Sequence, residues 1–163
     1  MNEITGPDSP ATKTFFHATY VPLAPGSVIE PGNWGRMLNT YVRNHNDYVL
    51  LRETIFEQVR RQDFPHLPSR LNCVFLCRTE EELRIFMSKN HINDIPYEVT
   101  LQQDDATTFA TGYDLPDIPV GPPLLPTLRE RATAYWRGEG VESSKRVEVL
   151  TATPVRVVRR LDT

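Results

Sequence analysis

Apolar and polar positions change their period several times along the chain, and each change marks an element. Thr14–Tyr20 (TFFHATY) is dense in aromatic and β-branched residues and predicts a strand. Phe15, His17 and Thr19 share one face of it; Phe16, Ala18 and Tyr20 share the other. Pro22, Pro25, Gly26, Pro31, Gly32 and Gly35 then break the pattern, predicting a surface loop with a short extended piece at Val28–Glu30. Over Asp47–Gln62, Tyr48, Leu51, Ile55 and Val59 recur at helical spacing with Phe56 beside them, and Glu57 pairs with Arg61 on the wet side. Pro65 and Pro68 stop that helix. The nearly continuous apolar run Leu71–Cys77 predicts a central strand.

Thr79 with Glu82 makes a capping box for a second helix, whose inner stripe is Leu83, Phe86 and Met87. Tyr97–Leu101 predicts another strand. Residues 114–126 (DLPDIPVGPPLLP) are proline-rich and predict an irregular crossing without regular helix. Thr127 with Glu130 opens a third helix, which Gly138 closes. Val147–Leu150 and Val155–Arg160 predict two last strands. Helices do not alternate regularly with strands, which argues for an α+β domain and against a doubly wound parallel sheet.

Composition narrows this picture. At 163 residues the chain suits one domain, expected over 14–163, after a Pro-, Ser- and Thr-rich segment 1–13 expected to be flexible. An apolar share of 39% excludes a long disordered polymer. No apolar run approaches the roughly 20 residues of a membrane span, and MNEITGPDSPATK lacks the apolar stretch of a secretory signal. No membrane partner and a cytoplasmic location are therefore expected. A net charge of −3 gives no bulk attraction to nucleic acid. Cys73 and Cys77, four apart on one strand, lie roughly 13 Å from one another, too far for a disulfide. With no His nearby they make a poor zinc site, and no metal is expected.

No nucleophile elbow, Walker loop, Rossmann fingerprint or HExxH motif occurs. Three features can carry chemistry. His17 and Thr19 stand side by side on one strand face and can grip vicinal hydroxyls, because both offer donor and acceptor atoms. Phe75 and Phe86 are either core residues or two walls for a flat ring. Glu148 faces away from Val147 and Val149 and can stabilise an oxocarbenium-like cation at a sugar C1.

In that order, a His-x-Thr strand, a strand and helix bearing two aromatics, and a late strand with Glu resemble the ADP-ribosyltransferase superfamily, in its branch with a His, aromatic, Glu trio. FFHATYVPLAPGSVIEPG is similar to the opening of rifampin ADP-ribosyltransferases. VFLCRTEEELRIF resembles the superfamily's strand and following helix. EVLTATPVRVVRRL resembles the end of the poly-ADP-ribose polymerase catalytic domain. The layout over 15–161, including EQVRRQDFPHLPSRLN and Tyr135-Trp136-Arg137-Gly138, resembles a family of small bacterial proteins of unknown function, DUF2441.

The resemblance implies a split, strongly bent β-sheet with flanking helices around an NAD cleft, and NAD-dependent transfer of ADP-ribose. His17 and Thr19 would hold the nicotinamide ribose and amide, with His17 and Glu148 as the catalytic pair. Phe75 and Phe86 would stack on nicotinamide, and Arg70 or Arg36 would meet the pyrophosphate. NAD would serve as substrate, and the acceptor could be a protein, a nucleic acid or a small molecule. Ala18 stands where the superfamily usually has Gly, and Phe75 lacks the hydroxyl of the more usual Tyr. These departures suit an alternative, a non-catalytic binding or regulatory module with a decayed pocket. A third reading, an RNA-end phosphotransferase, would use the basic cluster Arg156, Arg159 and Arg160.

Overall fold

Side-chain alternation decides which strand faces are buried. The computed structural model describes residues 13–40, 47–90, 93–103, 106–143 and 146–162. The expected flexible segment 1–13 lies, apart from Lys13, outside them. The described strands are β1 (Thr14–Thr19), β2 (Val28–Ile29), β3 (Val74–Leu76), β4 (Ile95–Leu101), β5 (Thr108–Gly112), β6 (Val147–Thr151) and β7 (Val155–Arg160). The helices are α1 (Asn33–Asn39), α2 (Asp47–Asp63), α3 (Glu80–Asn90) and α4 (Leu124–Trp136). The fold is mixed α+β, as expected.

The strands form two antiparallel sheets, in the orders β1-β4-β7-β2 and β3-β6-β5. Phe15, Tyr97, Val99, Val155 and Val157 from the first sheet pack against Val74, Leu76 and Val149 from the second. The opposite face of the second sheet carries Cys73, Phe75, Phe109 and Leu150, and α2 and α4 cover it with Ile55, Phe56, Leu128, Tyr135 and Trp136. Helix α3 places Leu83, Phe86 and Met87 against Phe16, Ala18 and Cys77. Among the described residues no helix is long and apolar enough to cross a membrane.

The two sheets meet at one bridge. Phe16 N–H donates to Cys77 O at 3.0 Å, and Cys77 N–H donates to Phe16 O at 2.8 Å. Residues 73, 75 and 77 turn their backbone groups to the same edge. A continuing ladder would use the Phe75 carbonyl for β1, but the strands part there. The opening between them is the fork that holds the site.

Several elements differ from the sequence expectation. The run Leu71–Cys77 is strand only over Val74–Leu76, because Arg70–Asn72 forms a 3-10 turn with the Ser69 hydroxyl accepting from Leu71 N–H. Helix α1 arises inside the expected loop. It buries no residue of its own, so it has no apolar stripe to read. Gly35 instead lets it lie on that turn, where an added Cβ would come within 2.2 Å of the Leu71 carbonyl oxygen. Strand β5 was not expected; its five residues all pair with β6. Helix α4 begins at Leu124, which corrects the expectation of no helix over 114–126. Its first-turn N–H groups need no helical partner, so Pro126 is tolerated there. The Thr127 hydroxyl donates to Pro123 O at 2.7 Å, so Thr127 is not a cap. At α3 the Thr79 half of the expected capping box forms, with Thr79 Oγ1 accepting from Glu82 N–H at 3.1 Å, while the Glu82 carboxylate accepts from Arg78 N–H at 2.9 Å instead of from Thr79.

Candidate functional site at the fork between the sheets

A cavity of about 580 Å³ opens at the fork. Its lining includes His17 and Thr19 from β1, Arg36 from α1, Arg70 and Phe75 around β3, Phe86 from α3 and Glu148 from β6. These side chains, spread over most of the sequence, all border one space. Arg156, Arg159 and Arg160 do not line it, and Arg159 is paired with Glu98 at 2.7 Å.

His17 occupies the point where the strands part. Its Nδ1 lies 2.9 Å from the Phe75 carbonyl oxygen. A carbonyl only accepts, so Nδ1 carries the proton and Nε2 is left as an acceptor. Burial lowers the His17 pKa, although the Phe75 carbonyl and Asp94 oppose the shift. His17 is thus a neutral imidazole of fixed tautomer at neutral pH. The neighbouring wall is pinned by Tyr97, whose hydroxyl accepts from Leu23 N–H at 2.8 Å.

Glu148 belongs to a buried ionic cluster. Arg70 Nη1 donates to Glu148 Oε1 and to the Tyr135 hydroxyl, both at 2.6 Å. Arg70 Nε donates to Glu53 Oε2 at 2.9 Å and Nη2 to Glu53 Oε1 at 3.2 Å. Arg52 holds Glu53 from its other side at 3.0 Å. Burial opposes the charge on Glu53, but the two guanidiniums win and lower its pKa. Burial also opposes charge on Arg70; the electrostatic attraction of Tyr135, Glu148 and Glu53 overcomes it and raises the pKa. The Arg70 guanidinium carbon lies 4.9 Å from the Tyr135 ring centroid and 5.0 Å from that of Phe75. Arg70 is only 6% exposed, and each of its guanidinium nitrogens is engaged within the cluster. Arg36 donates to the Pro31 carbonyl at 3.2 Å on the exposed side.

The segment leading to Arg70 is tied to α2 through Glu57, which is enclosed rather than on the wet side. Its carboxylate accepts from Arg60, from Arg61 at 2.8 Å and from Ser69 at 2.8 Å. Burial pushes the Glu57 carboxyl up, but these bonds override it and hold it at about 2. A lowered folded pKa stabilises fully above the unfolded value of 4.5, and that stabilisation is lost as pH falls through about 2. Arg61 is largely exposed, so solvent weakens the effect. Denaturant titrations between pH 5 and pH 2 should show Glu57→Gln losing about 1–3 kcal/mol less than the wild type over that range.

Phe75 and Phe86 have mixed surroundings. Phe75 packs on the core under α2 and α4, with Arg70 over its ring. Phe86 packs with Leu83 and Met87 and meets Tyr113 edge-on at 5.4 Å. Both are half-buried and line the cavity. Phe86→Tyr should shift the melting temperature by less than about 2 °C, because a ring edge at a wet cavity accepts a hydroxyl. A sealed edge would leave it unpaired at about 1–3 kcal/mol and produce a clear drop.

A family model described as protein of unknown function (DUF2441) matches residues 24–163. The chain belongs to this family. The sequence matches no curated protein. In this DUF2441 protein the match covers β2 through β7 and stops short of β1, which carries His17 and Thr19. The cluster of Glu53, Arg70, Tyr135 and Glu148 falls wholly inside it. Sequence reasoning missed Glu53 and Tyr135. A Glu among the apolar positions of α2 and a Tyr beside Trp136 were the available signals.

Cys73 and Cys77 are buried free thiols. Burial is the largest cause that pushes Cys77 up to about 12, so it is no nucleophile at neutral pH.

Proposed function

We propose that this DUF2441 protein binds NAD in the fork cavity and transfers its ADP-ribose to an acceptor, releasing nicotinamide. One observation carries the reading: His17, Thr19, Phe75, Phe86 and Glu148 border a single cavity although they span positions 17 to 148. The cavity's volume falls within the ~300–1,000 Å³ usual for small-ligand sites.

In this reading the bond from ribose C1′ to the nicotinamide nitrogen breaks, and its electron pair leaves with nicotinamide. The Glu148 carboxylate stabilises the cationic ribose that forms. The neutral Nε2 of His17 accepts from a ribose hydroxyl, and Thr19 supports the same ribose. Phe75 and Phe86 border the flat ring, and Arg36 meets the pyrophosphate. The acceptor's nucleophilic atom then bonds to C1′ and gives up its proton. Protein, nucleic-acid and small-molecule acceptors each supply such an atom.

The 2.6 Å bond between Arg70 and Glu148 favours a second reading, a binding module without turnover, because it already neutralises the carboxylate. Titration calorimetry with NAD, run beside an assay of nicotinamide release, separates the two. Saturable binding with release supports the transferase. Binding without release supports the module. No binding at millimolar NAD overturns the transferase and leaves a module whose NAD pocket has decayed.

A further inference from the structure

We infer that Arg70, itself oriented by Glu53, is a positioning residue that fixes the Glu148 carboxylate for reaction. This role rests on the ADP-ribosyltransferase reading above.

Five observations carry it. Arg70 Nη1 reaches Glu148 through Oε1, and the Tyr135 hydroxyl, itself bonded by the same Nη1, also hydrogen-bonds this carboxylate, which borders the cavity. Glu53 takes the Nε and Nη2 edge of the same guanidinium, and that two-point contact fixes the plane in which Nη1 meets Glu148. The rings of Phe56, Phe75 and Tyr135 surround the guanidinium and leave it little freedom to tilt. Glu53 does not line the cavity, so its influence on bound ligand passes through Arg70. Arg52 offsets Glu53, which leaves Arg70 facing Glu148 as a one-to-one pair.

The arrangement has a chemical purpose that a lone carboxylate would not serve. A glutamate on a strand rotates about three side-chain torsions. A carboxylate held by Arg70 and Tyr135 presents its oxygens at fixed places, and fixed geometry is a large part of what a site contributes to rate. A lysine at position 70 would keep the charge and lose the planar fork.

The test uses nicotinamide release from NAD by the full chain, with NAD binding measured on the same samples. Glu53→Gln keeps the volume and weakens the grip on Arg70. It should lower kcat about 10–100-fold while Kd, KM and binding stoichiometry stay within about twofold. Arg70→Lys should do the same or more. In a Glu148→Gln background, Glu53→Gln should cause no further loss, because its effect passes through the carboxylate already removed. Stoichiometry that falls in step with kcat would mean a merely structural role and overturn the inference. So would an undiminished loss in the Glu148→Gln background. An unchanged kcat in folded Glu53→Gln overturns the positioning role while the wild-type activity keeps the functional reading intact. Absence of release from wild type overturns the functional reading, and the inference with it.

Discussion

Arg70→Met will destabilise the protein by about 3–5 kcal/mol, because it strands the buried carboxylates of Glu53 and Glu148 without their shared cation. The same loss will largely vanish when the whole cluster is made apolar. In the quadruple variant Glu53→Leu, Arg70→Met, Tyr135→Phe, Glu148→Leu, no carboxylate or hydroxyl of the cluster loses its partner, and Arg52, which loses Glu53, keeps Asp117 at 3.9 Å. Burying ions from water costs several kcal/mol each, and apolar residues of similar volume avoid that cost. Urea midpoints should place the quadruple variant within about 2 kcal/mol of wild type, or above it. A quadruple variant as unstable as Arg70→Met would show that the ions themselves hold the fold together. The expected result instead assigns the cluster to the site rather than to stability.

On the proposed transferase reading, Glu148→Gln will cut nicotinamide release about 10²–10³-fold, the loss of about 2.7–4 kcal/mol seen when one electrostatic stabiliser is removed. The amide keeps the shape and still accepts from Arg70, so the fold and NAD binding should persist. Binding that survives while release collapses identifies an interaction made in the transition state rather than in the ground state. A release rate within threefold of wild type would remove Glu148 from the chemistry and return it to the ionic cluster alone. The variant also isolates Arg70, whose remaining carboxylate partner is Glu53. A modest fall in melting temperature is therefore expected beside the kinetic effect.

The sequence carried the long elements well because their signals are local. The helical recurrence of Leu51, Ile55 and Val59 marks α2, observed over Asp47–Asp63. The Thr79–Glu82 cap marks the start of α3. Helix α1 and strand β5 were illegible for a shared reason: each is held by another segment rather than by its own pattern. Gly35 settles α1 on Leu71, and β6 supplies the partners of β5. The chemistry of His17, Thr19, Phe75, Phe86 and Glu148 is legible residue by residue, but only a resemblance joins them into one site, since no periodicity links positions so far apart. What that resemblance could not contain was the setting of Glu148. Its bond to Arg70, and the bonds of Arg70 to Glu53 and Tyr135, depend on four distant segments meeting.

β6 and β7 follow every other described element in the chain, yet each is an interior strand: β6 lies between β3 and β5, and β7 between β4 and β2. During synthesis, then, β2, β3 and β5 emerge before the strands that complete them exist. A nascent chain can pair β1 with β4 but exposes the other edges, which are sites for unwanted strand pairing. The fork cavity is equally incomplete, since Glu148 arrives with β6. Ribosome stalling or premature termination before residue 147 would therefore yield an aggregation-prone product whose fork lacks Glu148.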